Sequence, residues 1–146
     1  MRRTLVPALM AGLTCGMTGC GFVLDQVTPN TTTVRLVNDG DFDVHVELFI
    51  DDDQEIPRDL LTEVGTNLEF TLSPGEATSF SRDCDDLQAI VIDSADLDIV
   101  GDVGPSADTD VLRDGSDFGC GDTIRFAFDH SDVVVDFDIS VAVDAN

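Results

Sequence analysis

Val133-Val134-Val135-Asp136-Phe137-Asp138-Ile139-Ser140-Val141-Ala142-Val143 has a two-residue period. Val133, Val135, Phe137, Ile139, Val141 and Val143 fall on one face, and Asp136, Asp138 and Ser140 on the other. Successive side chains of a strand point to opposite sides, so such a row is the mark of a half-buried β-strand. The same period recurs upstream. Val34 and Leu36 form one row, and Phe42, Val44, Val46, Leu48 and Ile50 a longer one with Asp43, His45 and Glu47 facing water. Leu68, Phe70 and Leu72 form a third row, Thr78 and Phe80 a fourth, and Ile124, Phe126 and Phe128 another. Leu87 to Ile92 is an almost unbroken apolar run, expected for a central strand.

The punctuation fits strands. Asn38-Asp39-Gly40-Asp41 has Asp-Gly turn chemistry. Ser73-Pro74-Gly75-Glu76 has Pro and Gly where a type II turn wants them. Pro57 to Val64 is expected to be the one short helix. Pro57 suits its first turn, Leu60, Leu61 and Val64 share a face, and Gly65 supplies the stop. About seven short strands and one helical turn predict an all-β fold, an antiparallel β-sandwich over residues 32–146.

Two stretches resemble bacterial immunoglobulin-like domains. One is Val34-Arg35-Leu36-Val37-Asn38 leading through Gly40 to Val44 and Val46. The other is Leu72-Ser73-Pro74-Gly75-Glu76 followed by Phe80. They cover about a third of the chain, and the resemblance implies a sandwich and no particular activity. Tyr and Trp are absent, so a tyrosine corner and a core Trp are excluded.

The first residues carry an address. Met1-Arg2-Arg3 is cationic, Leu5 to Thr18 is uncharged, and Met17-Thr18-Gly19-Cys20 follows. This is a secretory signal layout, and its last four residues resemble the bacterial lipobox. The resemblance implies residues 1–19 as a lipoprotein signal peptide, a diacylated Cys20, and residues 20–31 as a lipidated tether. It makes the chain a membrane-anchored cell-envelope lipoprotein. An ordinary cleavable signal peptide is the rival reading. A transmembrane helix is disfavoured, because one needs about 20 apolar residues and Pro7 interrupts a shorter run. Gly21 is not the Asp that signals inner-membrane retention in the Gram-negative sorting rule, which favours the outer membrane.

With Cys15 removed and Cys20 acylated, Cys84 and Cys120 remain. In an oxidising envelope compartment they are expected to form one disulfide. No Cys-x-x-Cys motif suggests redox chemistry.

Removing residues 1–19 leaves 127 residues, with five Arg and no Lys against 30 acidic residues, a net charge of −25. Such a field repels nucleic acid and anionic lipid heads, so neither is an expected partner. The membrane is expected as a partner only through the lipid anchor, and no protein partner is readable.

Dense carboxylates also invite a divalent cation. The stretch from Asp102 to Gly121 is the long irregular region, and it carries Asp108, Asp110, Asp114 and Asp117 among several glycines. These four are the candidate calcium ligands, since Ca²⁺ takes about six to eight oxygens on flexible backbone. The spacing matches no EF-hand loop. His45, on an outward strand face, and His130, in a turn, have no zinc spacing. No nucleophile elbow, zinc-protease motif or phosphate loop is present, and sugar sites lean on the Trp and Tyr that this chain lacks. A non-enzymatic structural or interaction module is expected, with a calcium- or small-ligand-binding lipoprotein using the 102–122 loop as the alternative. No catalytic residue and no cofactor beyond calcium is expected.

Overall fold

A computed structural model of the chain describes residues 30–99, 102–130 and 136–145. Cys20, the expected signal peptide and nearly all of the tether lie outside these residues, as do Val133 and Val135.

Among the described residues, nine strands and one helix follow in the order β1 (Thr31–Asn38), β2 (Asp43–Asp51), α1 (Arg58–Val64), β3 (Thr66–Leu72), β4 (Ala77–Asp83), β5 (Ala89–Ile99), β6 (Asp102–Ala107), β7 (Leu112–Arg113), β8 (Thr123–His130) and β9 (Phe137–Asp144). They form two sheets. Sheet A has the order β4-β1-β8-β9, and sheet B the order β3-β2-β5-β6 with β7 also on β5. The expected sandwich is present. One neighbour pair departs from the antiparallel expectation: β1 and β8 run parallel, with Thr33 opposite Thr123 and Asn38 opposite Phe128.

Both turn signals lie where expected, but neither closes a hairpin. Asn38 to Phe42 carries the chain from sheet A to sheet B, and Ser73-Pro74-Gly75-Glu76 carries it back. Gly75 has φ +74°, a left-handed conformation that glycine adopts without strain. The irregular region expected from Asp102 to Gly121 is a correction, since it contains β6 and β7. Gly104-Pro105 and a scarcity of apolar residues hid those strands from periodicity.

The core lies between the sheets. Val34, Leu36, Ile124, Phe126 and Phe128 of sheet A meet Val44, Val46, Leu48, Ile90 and Ile92 of sheet B. The run through β5 is unbroken because both of its faces are covered. Ile90 and Ile92 face the other sheet, while Ala89 and Val91 join Phe49, Ile56 and Leu61 beneath α1. A register shift opposite Glu47 and Leu48 leaves Asp93 as an extra residue in β5. It lets Ile92 and Ala95, three positions apart, both face the core, which strict alternation forbids.

The helix has the expected extent, but its packing is narrower. Leu61 is fully buried, whereas Leu60 and Val64 are 45% and 61% exposed. In a seven-residue helix only one turn reaches the sheet. Its start is held by Arg58, which donates to Asp108 Oδ2 at 2.8 Å, to Asp93 Oδ1 at 3.4 Å and to the Thr109 carbonyl.

Candidate functional site

Strand directions divide the sandwich into two poles. β1 starts and β4 ends at the pole where the chain enters at Asn30. β8 starts there as well, being parallel to β1.

Cys84 and Cys120 are disulfide-bonded at this entry pole, with Cα atoms 5.4 Å apart. Cys84 follows the last residue of β4 and Cys120 precedes β8, so the bond joins the strands on either side of β1. The Cys84 N–H donates to the Asn30 carbonyl at 2.9 Å, and the Thr32 hydroxyl lies 3.8 Å from Cys84 Sγ. Asn30, Asp83, Cys84, Asp85 and Cys120 line an open cleft of about 440 Å³.

The four aspartates expected to hold calcium are not brought together. Asp108 lies beyond β6 and is paired with Arg58. Asp110 is exposed in the connection to β7. Asp114 turns its carbonyl to the Gln54 amide, and its N–H donates to the Gln88 carbonyl at 2.9 Å. Asp117 folds back to accept the Arg113 N–H at 2.8 Å and the Ser116 hydroxyl at 3.0 Å. Asp122, in the same way, accepts the Gly119 N–H at 2.7 Å. Among the described residues no three His, Cys, Asp or Glu side chains gather as a metal site. These carboxylates shape turns and hold an arginine, chemistry that their density in sequence does not distinguish from ion binding.

Arg113, like Arg58, has a structural role that the sequence does not signal. Its guanidinium donates to the Ile56 carbonyl at 2.9 Å and to the Gln54 carbonyl, fixing the segment before α1.

His45 is exposed on β2, with Nδ1 3.1 Å from the Thr71 hydroxyl. His130 is the last residue of β8 rather than part of a turn. Its Nε2 accepts the Asp41 N–H at 2.8 Å, and its ring packs 5.2 Å from that of Phe42. At this far pole an open cleft of about 280 Å³ is lined by Asp129, His130, Asp136, Asp138 and Ser140. No described helix is long and apolar enough to cross a membrane.

Fold and site together define a disulfide-bonded, two-sheet β-sandwich with an acidic surface. No family model and no curated protein matches the sequence. Among solved structures, the NMR structure of a protein from Eubacterium rectale is 16% identical, covering 77% of this chain and 88% of its own, with a TM-score of 0.46. The crystal structure of the T6SS lipoprotein TssJ1 from Pseudomonas aeruginosa is 12% identical, covering 81% of this chain and 98% of its own, with a TM-score of 0.45. Likenesses this distant assign neither a family nor an activity.

Proposed function

We propose that the chain is a lipoprotein of the cell envelope, diacylated at Cys20, whose β-sandwich acts as a non-enzymatic structural or interaction module. The observation that carries the reading is Cys20 itself, preceded by Met17-Thr18-Gly19 and a short uncharged stretch behind Arg2 and Arg3. The Cys84–Cys120 bond supports it, since disulfides persist in oxidising compartments. Gly21 after the acylated residue favours the outer membrane. The calcium reading of the 102–122 segment has no assembled ligand set behind it among the described residues.

The experiment is metabolic labelling with radioactive palmitate, followed by membrane fractionation, of the native chain and of Cys20→Ser. Two or three acyl chains anchor stably, at about 0.8 kcal/mol per buried CH₂. Label and membrane association are expected in the native chain and lost in the variant. Equal labelling of both overturns the assignment.

A further inference from the structure

β9 ends sheet A, and no described strand pairs with its outer edge. Its register with β8 sets Val141 opposite Phe126 and Val143 opposite Ile124. Those two partners are fully buried, yet Val141 and Val143 are 39% and 36% exposed. Phe137 and Ile139, earlier on the same strand, pack against the core. The difference follows from the flank of sheet B on this side. β6 pairs with the far half of β5, from Ala95 to Ile99, and among the described residues the only strand below it is the two-residue β7, on Ala89 and Ile90. The core-facing side of β9 is therefore uncovered over its second half.

Natural sheets usually blunt such an edge with charge, Pro or a bulge. Here Ile139-Ser140-Val141-Ala142-Val143 is uncharged, in a chain with 30 acidic residues, and is bounded by Asp138 and Asp144.

We propose that the outer edge of β9 receives an added strand from another protein, an extended segment of alternating apolar side chains with Lys or Arg at its ends. The proposal rests on reading the domain as an interaction module and names its surface and partner. The outer-edge backbone groups of β9 supply the ladder, with the Ile139 N–H giving up its bond of 2.9 Å to Asp138 Oδ1, and the partner's apolar side chains cover Val141 and Val143. Its basic ends meet Asp138 and Asp144. Charge sets the partner's sign: the chain's net charge of −23 attracts a cationic segment and speeds the encounter. A second copy of this chain fits badly. Antiparallel pairing of two β9 strands centred on Val141 would set Asp138 opposite the second copy's Asp144, and like charges facing across strands repel.

The test is fluorescence anisotropy on the full chain purified in detergent. The probe is a labelled seven-residue peptide alternating valine and threonine, with a lysine at each end. Saturable binding is expected. Val141→Glu with Val143→Glu should weaken it at least about tenfold, the scale set by two half-exposed valines losing their cover. Both positions are already partly exposed, so the melting temperature should change little. The same peptide with glutamate ends should not bind. No saturable binding, equal binding by the double variant, or equal binding of the acidic peptide overturns the proposal. So does a dimer in sedimentation equilibrium that the double variant dissolves, which makes the occupant a second copy. None of these readouts depends on acylation, so failure here is separate from failure of the palmitate experiment.

Discussion

The side-chain amide of Asn38, fully buried, donates to the Leu72 carbonyl at 2.9 Å. Its second N–H donates to the Phe42 carbonyl at 2.7 Å, and its oxygen accepts the Gly40 N–H at 3.0 Å. The Asn38 backbone reaches the turn between β3 and β4, donating to the Glu76 carbonyl and accepting from the Gly75 N–H, both at 2.9 Å. One residue thus joins both crossings between the sheets at the far pole. Asn38→Ala removes a donor from the buried Leu72 carbonyl and from the part-buried Phe42 carbonyl, and should lower stability by about 2–4 kcal/mol. Asn38→Asp should lower it further, because a carboxylate would face those carbonyls. Urea unfolding of the three proteins tests the order, and an Asp variant as stable as native refutes it.

The disulfide joins the strands that flank β1 and closes 36 residues. On the chain-entropy account, Cys84→Ser should reduce stability by about 4 kcal/mol. Thermal unfolding of the native protein with and without reductant should show a difference of the same size. Two thiols that alkylate without reductant would refute the bond.

Gly65 and Gly75 should respond differently to alanine. A Cβ at Gly65 would stand 2.4 Å from the Leu61 carbonyl, whereas at Gly75 it would meet nothing within 4 Å. Gly75→Ala faces only the left-handed backbone penalty of about 1–2 kcal/mol. Gly65→Ala must shift the end of α1, and overpacking of that kind costs about 1–3 kcal/mol. It should also expose Phe49 and Val91 beneath the helix, so only this variant should gain binding of a hydrophobic dye.

Salt should stabilise the protein. With five arginines against 30 acidic residues after Gly19, self-repulsion opposes the compact state. The screening length falls from about 10 Å at 0.1 M salt to about 3 Å at 1 M. The melting temperature should therefore rise with NaCl. Because no ligand cluster assembles from Asp108, Asp110, Asp114 and Asp117, CaCl₂ at matched ionic strength should raise it equally. An excess with calcium, abolished by Asp110→Asn with Asp114→Asn, would restore a cation site.

Strands were legible wherever one face was buried and the other wet. Val44 to Ile50 and Ile124 to Phe128 show the alternation that burial imposes. The partition into sheets was not legible, because a turn signal such as Asn38-Asp39-Gly40 specifies a reversal and not which sheet receives the next strand. β6 escaped notice because edge pairing needs backbone groups rather than apolar side chains. Leu60 and Val64 misled because helical periodicity says which side chains align and not whether anything lies opposite. The expected calcium ligands Asp108, Asp110, Asp114 and Asp117 do not gather among the described residues for a related reason. Closeness in sequence placed Asp108 near Asp117, but Arg58 and the Arg113 N–H draw their carboxylates to different partners. The disulfide was readable from cysteine count and compartment alone.

The parallel pairing of β1 with β8 bears on how the molecule assembles. Among the described residues the longest pairing in sheet B, Asp43 with Asp98, spans 55 positions (98 − 43). β1 must wait for β4, and its other neighbour starts at Thr123, 90 positions after Thr33. Contacts so distant along the chain form slowly. In a chain that emerges amino terminus first, sheet B can form while its apolar face is still bare. The last strands then bring Phe126 and Phe128 to cover it. A chain that stopped before Thr123 would leave Leu48, Ile90 and Ile92 open to water, so folding is completed from the carboxyl-terminal end.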